Sequence, residues 1–364
     1  MNLNQLNIQN FRNYESCSVT FQSSSIHCLC GKNAQGKTNL IESIYFLSHL
    51  HSFRTGQLSS LVKQDKDYMQ IEAKVESNQT IQDLKIIVTD KKKHLFRFQN
   101  PVNKYSDFVG IVNAILFCPD DMILFQKSPR NRRHFIDMEL IKLSKTYTYT
   151  LSHYQNLLKE RNQILKMDKV DDVLLKTYTD QMIKDQLVII GQRSQFIKEL
   201  MEKSQNLYPF FEKKEEKIGA VYKTFVDINE DMEGQLQDIY DKNQSKDKYY
   251  KQTMAGIHKD DIVFLLNDKP VYEIASQGQK RSFLLALKLG LADIIKDKSY
   301  QYPILLLDDV FSELDNERKR SLIQNLPDSM QIFITTTEPV KKEWFMNRSY
   351  HLHMVENGMI REAF

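Results

Sequence analysis

The sequence predicts an α/β protein with an α-helical lobe inserted into it. An apolar strand at residues 26–30 runs directly into a glycine-containing loop, and a helical pattern follows. Near the end of the chain, the continuous apolar run at residues 304–307 is typical of a parallel strand that is covered on both faces. Between these regions, residues 144–201 repeat apolar side chains at helical spacing. The two ends are therefore predicted to be α/β and the middle α-helical.

The N-terminal third alternates in a way that predicts β-strands. Leu3, Leu6 and Ile8 precede the turn-like segment "FRNYES", which indicates two short strands joined by a turn. Residues 68–118 return to a period of two, with turn residues between the alternating segments. We expect an antiparallel sheet there.

The middle of the chain predicts a helix hairpin. Residues 144–166 and the segment from Leu174 onward each carry apolar side chains on one face, and "MDKVDD" joins them. The first helix would span about 35 Å, far short of a long coiled-coil arm, so we expect the hairpin to pack as a lobe. Residues 202–251 are polar and are predicted to be loop-rich.

The composition is that of an ordinary soluble globular protein. Of 364 residues, 41% are hydrophobic and 27% charged, and the formal net charge is +3. This balance alone does not argue for a nucleic acid or a membrane as partner. The sequence shows no secretory signal and no apolar run of membrane-spanning length, so we expect a cytoplasmic protein. Four cysteines without a C-x-x-C pair are expected to be buried, reduced thiols: Cys17, Cys28, Cys30 and Cys118.

The segment "GKNAQGKT", residues 31–38, matches the phosphate-binding pattern G-x-x-x-x-G-K-[ST]. An apolar strand precedes it and an amphipathic helix follows, which is the context that this pattern requires. Lys37 is expected to reach the outer phosphates of a nucleotide, and the Thr38 hydroxyl to ligate magnesium. The residues expected to contact the nucleotide here are Gly31, Lys32, Asn33, Ala34, Gln35, Gly36, Lys37 and Thr38.

A buried strand that ends in two acids forms the second element, "ILLLDDVFSELD". Asp308 at the carboxyl end of the strand suits a magnesium-organising acid, and Asp309 beside it would orient or deprotonate an attacking water. The alternative is a strand that ends in a solvated acidic turn. The presence of a phosphate loop in the same chain favours the first interpretation.

The third element, "SQGQKRSFLLALKLG", begins a long apolar helix at residues 276–290. One interpretation is that Ser276 is simply the N-cap of its own helix and that Gly278 relieves crowding. The functional interpretation is that the hydroxyl, the exposed amides and the helix dipole face an anion.

These three elements and several further segments resemble the ABC ATPase superfamily, and more closely the RecF family of bacterial recombination proteins. The further segments include "NFRNY", "SFRT", "FCPDDMILFQKSPRNRRHFID" and "GIHKDD". The resemblance covers nearly the whole chain. It implies an ABC-type ATPase head, in which a mixed sheet with the phosphate loop adjoins an antiparallel β region, with an inserted α-helical lobe. The implied division is an N-terminal part of the head at 1–140, a helical lobe at 141–250 and a C-terminal part of the head at 251–364.

The resemblance also implies a composite site for ATP and Mg²⁺. In ABC-type ATPases the serine-containing helix of one protomer faces the ATP held by another, so ATP would join two protomers into a homodimer. Asp309 takes the position of a catalytic glutamate, and Thr335–Thr337 that of a histidine. Lys37, Asp309 and Ser276 are the implied catalytic residues. The further residues that the resemblance places at the nucleotide are Arg12, Asn13, Ser276, Gly278 and Gln279.

The implied function is ATP-dependent DNA binding with slow ATP hydrolysis, in DNA replication, recombination, repair and the SOS response. RecF relatives bind DNA near single-strand gaps and, with RecR and RecO, help to load RecA. Two alternatives remain open: a P-loop phosphotransferase that acts on a small molecule, and a scaffold whose ATP is purely structural. The side chains expected to contact duplex or junction DNA independently of sequence are Lys91, Lys92, Lys93, Arg97, Lys127, Arg130, Arg132 and Arg133.

Overall fold

The computed structural model describes residues 1–89, 92–212, 215–345 and 348–363. The chain forms two compact units. The first, called the head unit below, contains residues 1–122, 203–215 and 277–364. The second, the helical unit, contains residues 123–202 and 216–276.

In chain order the strands of the described residues are β1 (Asn2–Phe11), β2 (Tyr14–Thr20), β3 (Ile26–Cys30), β4 (Tyr68–Ser77), β5 (Thr80–Thr89), β6 (Lys92–Arg97), β7 (Asn100–Val102), β8 (Ala114–Phe117), β9 (Ile218–Lys223), β10 (Asp261–Leu266), β11 (Lys269–Pro270), β12 (Ile304–Leu307), β13 (Ile332–Thr336), β14 (Tyr350–Glu356) and β15 (Met359–Ala363). The helices are α1 (Lys37–His49), α2 (Pro129–Leu143), α3 (Lys145–Ile164), α4 (Asp172–Leu207), α5 (Met232–Tyr250), α6 (Val271–Ile274), α7 (Gln277–Ser299), α8 (Val310–Glu313) and α9 (Asn316–Asn325). None of the helices in the described part of the chain combines the length and the apolar character needed to cross a bilayer.

An antiparallel sheet forms the first layer of the head unit, with strand order β2-β1-β4-β5-β6-β7. Its apolar side chains alternate because one face packs on the core. The two N-terminal strands joined by a turn are confirmed, and so is the antiparallel sheet that begins at Tyr68. The sheet ends at Val102, however, because β8 pairs in parallel with β12 in the other sheet.

The second sheet of the head unit has the order β15-β14-β3-β13-β12-β8. All neighbours pair in parallel except the edge strand β15, and the predicted run Ile304–Leu307 is fully buried in it. In a parallel sheet the carboxyl ends of all strands lie at one edge. The loop after β3 and the acids after β12 therefore meet at the same edge, with β13 between them.

The helical unit begins at Ile123 rather than at residue 141, because α2 belongs to it. Pro129 occupies the first turn of α2, where its missing N–H costs nothing. The helix contacts α3 and β10, and Arg132 forms an ion pair of 2.8 Å with Asp261. The unit also continues to Ser276, beyond the expected boundary at residue 250.

The prediction that residues 202–251 are loop-rich is wrong for much of the segment. β9 pairs with β10, and α5 occupies Met232–Tyr250. Helix α5 buries only a few positions, Leu236 and Tyr240 at helical spacing and the acid Asp247. Asp247 forms an ion pair of 2.8 Å with the buried Arg161, so a polar group takes a core position that hydrophobic periodicity does not detect.

The cysteine prediction is largely confirmed. All four thiols are free, and three of them are buried, while Cys30 is half-buried. Burial raises the pKa of the Cys17 thiol to about 11, so this sulfur stays protonated and unreactive at neutral pH.

Two helix glycines provide a matched test of packing. A Cβ on Gly290 would lie 2.9 Å from the backbone nitrogen of Ser204, whereas a Cβ on Gly191 would meet nothing within 4 Å. We expect Gly290→Ala to lower the free energy of unfolding by about 1–3 kcal/mol through overpacking. Gly191→Ala should instead raise it by roughly 0.5–1 kcal/mol, through helix propensity. Urea denaturation of both variants measures the two effects. Equal changes in the free energy of unfolding would show that the short distance to Ser204 does not exclude a methyl group at position 290.

Candidate nucleotide-binding site

The backbone of the predicted phosphate loop requires glycine at two positions. A Cβ on Gly31 would lie 2.3 Å from the carbonyl oxygen of Val355. Gly36 has φ 117°, and a Cβ there would meet the side chain of Asn13 at 2.8 Å. The tight turns expected from the motif are therefore present, and neighbouring segments press closely on the loop.

Two segments distant in sequence brace this loop. Asn13 donates to the Gln35 carbonyl at 3.0 Å, and the Tyr14 hydroxyl donates to the Gly36 carbonyl at 3.0 Å. On the other side, the turn between β14 and β15 contributes the Gly358 amide to the Gln35 carbonyl at 3.0 Å. The Asn357 amide also donates to the Gln35 side chain at 2.8 Å.

Lys37 lies at the centre of the loop and is 6% exposed. Its ammonium donates to the carbonyl oxygens of Gly31 and Lys32, both at 2.8 Å. Burial lowers the pKa of Lys37, and the nearby Asp309 and Asp308 oppose that shift. The cation is thus held by main-chain oxygens, which phosphate oxygens could replace.

Thr38, Asp308 and Thr335 form a polar cluster at the carboxyl edge of the parallel sheet. Both hydroxyls donate to Oδ1 of Asp308, from Thr38 at 3.0 Å and from Thr335 at 2.9 Å. The Thr335 hydroxyl oxygen also accepts the amide of Asp309 at 2.8 Å. Thr335 therefore contacts both acids, the Asp308 side chain and the Asp309 main chain.

The residues of this cluster fit Mg²⁺ by their donor chemistry. A hydroxyl and a carboxylate oxygen converge, and Mg²⁺ prefers such hard oxygen ligands together with water and substrate phosphates. Within the described ranges no group of three or more His, Cys, Asp or Glu side chains could hold a metal. A cation here would therefore depend on Thr38, Asp308 and ligands that come with the nucleotide.

Burial raises the pKa of Asp308 to about 6, although the hydrogen bonds from Thr335 and Thr38 oppose the shift. Because this pKa is above the ordinary value of 3.8, the folded chain binds the proton more tightly than the unfolded chain does. The resulting contribution to stability is complete below pH 3.8 and is lost as the pH rises through about 6.

We expect Asp308→Asn to be more stable than the unsubstituted chain by about 1–3 kcal/mol at pH 8, with the difference shrinking towards pH 4. Urea denaturation across this pH range measures it. The exposed Asp65→Asn is the control, and a gap that is the same at every pH would contradict the assignment.

Arg12 and Asn13 occupy different places relative to the loop. Asn13 contacts the loop directly, whereas the Arg12 guanidinium donates two hydrogen bonds to the fully buried Glu42, at 2.9 and 2.6 Å. Arg54 donates to Asn39 at 2.8 Å and lies 3.5 Å from the Glu42 carboxylate. The sequence interpretation missed Asn39, Glu42 and Arg54 as parts of the site, although the family segment "SFRT" contains Arg54.

The serine-containing segment lies where helix α7 begins. Ser276 is exposed and directly precedes the first helical residue, Gln277, and Gly278 and Gln279 belong to the first turn. This placement is compatible with both interpretations of Ser276, as an N-cap and as a contact to an anion. Asp309 lies before the short helix α8 in a left-handed conformation with φ 55°.

The basic residues predicted to contact DNA differ in their exposure and in the contacts they already make within the chain. Lys92 and Arg130 are exposed, and Lys91 lies outside the described residues. Lys93 donates to the Leu50 carbonyl at 2.7 Å, and Arg97 donates to Gln82 at 3.0 Å while lying 5.5 Å from the Phe98 ring. Lys127 lies 5.5 Å from the ring of Tyr272, and Arg133 donates to the Asp260 carbonyl. The prediction that Arg132 contacts DNA is wrong. Its side chain is only 3% exposed and pairs with Asp261, so its guanidinium is not available to DNA phosphates.

The comparisons with known proteins agree with this architecture. The family model described as the RecF/RecN/SMC N terminal domain matches residues 2–118. A DNA replication and repair protein RecF of Pediococcus pentosaceus is 36% identical over 100% of this chain and 99% of its own length. A RecF of Bacillus thuringiensis is 34% identical over 93% of this chain and 92% of its own length.

Solved structures give the same result. A structure described as the recombination mediator protein RecF with ATP, in the RecFOR pathway, has a TM-score of 0.91 at 27% identity and covers 100% of this chain and 97% of that one. An Smc head domain of Pyrococcus furiosus, at 12% identity, covers 99% of this chain and 95% of that one, and its TM-score of 0.56 shows a shared fold. The predicted ABC-type head with a phosphate loop is therefore confirmed as the fold, and the chain belongs to the RecF family of DNA replication and repair proteins.

Proposed function

We propose that this chain is an ATP-dependent DNA-binding protein of recombinational repair and replication that dimerises on ATP and hydrolyses it slowly. The observation that carries the proposal is the convergence of Lys37, Thr38 and Asp308 at the carboxyl edge of the parallel sheet. A braced loop with a buried cation, next to an oxygen ligand set suited to magnesium, is the arrangement that a nucleoside triphosphate requires.

The residues of the site take separate roles in this proposal. The ammonium of Lys37 exchanges its two carbonyl partners for phosphate oxygens. Thr38 and Asp308 would hold the metal ion, which would supply charge neutralisation on the phosphates. Asp309, whose amide is fixed by Thr335, orients the attacking water.

Ser276, Gly278 and Gln279 act in trans in this proposal. Their position at the start of α7 offers a hydroxyl and the N-terminal end of a long helix to an anion. Because the ATP of one protomer would be completed by α7 of the other, two nucleotides would hold the dimer together. Hydrolysis would then remove the γ-phosphate contact and let the two protomers separate.

DNA is the proposed partner, with sequence-independent binding to duplex or gap junctions. Family membership supports this, since the relatives are described as DNA replication and repair proteins. RecR and RecO are proposed to act with it in RecA loading, as the RecFOR pathway named for the solved relative suggests. The cytoplasm is the proposed location.

Solution mass tests the proposal directly. We expect light scattering to report a monomer without nucleotide and with ADP, and a doubled mass with ATP and Mg²⁺, because only ATP offers the γ-phosphate to the second protomer. A chain that consumes ATP without any change of mass would refute the composite site. That result would favour the alternative, a P-loop phosphotransferase acting on a small molecule.

A further inference from the structure

The helical unit contains a cavity of about 480 Å³. It is lined by residues of α2 and α3, by Arg193 of α4, and by the turn that contains Ile257 and His258. All lining residues belong to this one unit, so the cavity is separate from the phosphate loop of the head unit. Its volume lies in the range of small-molecule sites, roughly 300–1,000 Å³.

Two arginines from one turn of α2, Arg130 and Arg133, line the cavity. Arg133 donates through Nη1 to the Asp260 carbonyl, which fixes its side chain and leaves further N–H groups. Among the residues that the structure describes, Arg130 has no hydrogen-bond or ion-pair partner. The same holds, within that part of the chain, for the side-chain amides of Asn131 and Gln155, which also line the cavity. Hydrogen-bond donors from α2 and α3 therefore line the same cavity.

One carboxylate lines the cavity, and its charge is compensated. Asp137 accepts hydrogen bonds from Nε and Nη2 of Arg193, both at 2.9 Å, and a third from Tyr147 at 2.5 Å. Arg193 also lies 3.2 Å from the carboxylate of Asp260. Arg193 balances one of these two carboxylates, and the two further arginines, Arg130 and Arg133, leave these five groups with one excess positive charge.

Much of the remaining wall is apolar. Leu151, Leu158 and Ile257 line it, and the Tyr154 hydroxyl lies 2.8 Å from Nδ1 of His258. Burial lowers the pKa of His258 to about 4, so the ring is neutral at pH 7. Apolar side chains and two neutral rings suit a sugar or a base rather than a second charged group.

We propose that this cavity binds a phosphomonoester of mononucleotide size, with the phosphate on Arg130 and Arg133 and the sugar and base along Leu151 and Leu158. Arginine forks match phosphate oxygens in geometry and charge. A concave site with two adjacent arginines suits one compact phosphate better than an extended backbone. The ligand has two sources with this chemistry, a free mononucleotide and the terminal nucleotide of a DNA strand.

Calorimetric titration with deoxyadenosine 5′-monophosphate tests the site on the full chain. The chain carries Lys37→Ala, so that the phosphate loop contributes little. We expect saturable binding at one site, weakened at least tenfold by Arg130→Glu and also weakened by Gln155→Glu. Lys184→Glu is the matched control: it makes the same charge change on an exposed position of α4 in the same unit, outside the cavity, and should leave the affinity within twofold.

Absence of saturable binding would overturn the proposal, as would equal weakening by Arg130→Glu and Lys184→Glu. Short oligonucleotides with a 5′-phosphate or a 5′-hydroxyl then distinguish the sources by competition. Displacement by the phosphorylated strand alone identifies a strand end, and displacement by neither identifies a free mononucleotide. Equal displacement by both strands would indicate backbone binding and contradict the site. The mass test of the ATP-dependent dimer does not involve this cavity, so either proposal can fail without the other.

Discussion

Lys37→Ala is expected to weaken ATP binding by about 100-fold or more. The side chain is buried in the loop and supplies its central positive charge, and removing one partner of a buried charged hydrogen bond costs about 2–5 kcal/mol. A tenfold change in affinity corresponds to about 1.4 kcal/mol. Titration of the purified chain with ATP and Mg²⁺ measures the effect.

Lys32→Ala is the matched control for this experiment. Lys32 lies in the same loop and carries the same charge, but its side chain is exposed and only its carbonyl contacts Lys37. We expect its affinity for ATP to change by less than about threefold, in line with an exposed charge. Similar losses in both variants would show that only the summed charge of the loop matters.

Ser276→Arg is expected to abolish the ATP-dependent doubling of mass while ATP binding remains. The long cationic side chain replaces the hydroxyl at the start of α7, where a partner's nucleotide would have to approach closely. Light scattering with ATP and Mg²⁺ gives the mass, and titration of the same sample gives the affinity.

Tyr300→Arg provides the comparison for that variant. It introduces the same side chain just beyond the opposite end of α7, at a residue that is 89% exposed. A normal dimer in this variant, together with a monomer in Ser276→Arg, would assign the effect to the first turn of the helix. A dimer in both variants would exclude Ser276 from the interface.

Much of the head could be predicted because its local patterns agree with its tertiary structure. The strand, loop and helix around Lys37 and the buried run before Asp308 each carry their own signal, and parallel pairing brings them together. The site residues that the sequence did not predict were missed because their partners lie in other segments of the chain. Glu42 and Asn39 lie on α1 among apolar positions, and only the fold reveals that Arg12 and Arg54 pair with this face.

Buried polar groups also explain the errors outside the site. Helix α5 has a weak apolar pattern because Asp247 and Arg161 replace a hydrophobic contact with an ion pair. Arg132 appears in the sequence as part of an exposed basic run, yet Asp261, far along the chain, compensates its charge inside the helical unit. A charge run predicts exposure only where no distant carboxylate pairs with it.

The turn between β14 and β15 determines when the nucleotide site can exist during synthesis. Gly358 and Asn357 hold Gln35, and the Val355 carbonyl lies against Gly31, so the loop depends on residues that are made more than 300 positions after it. A nascent chain carries the whole motif long before it can have this brace. The family motif therefore becomes a complete site only in a chain that has been synthesised past Gly358, and a chain truncated before Val355 retains the motif without its support.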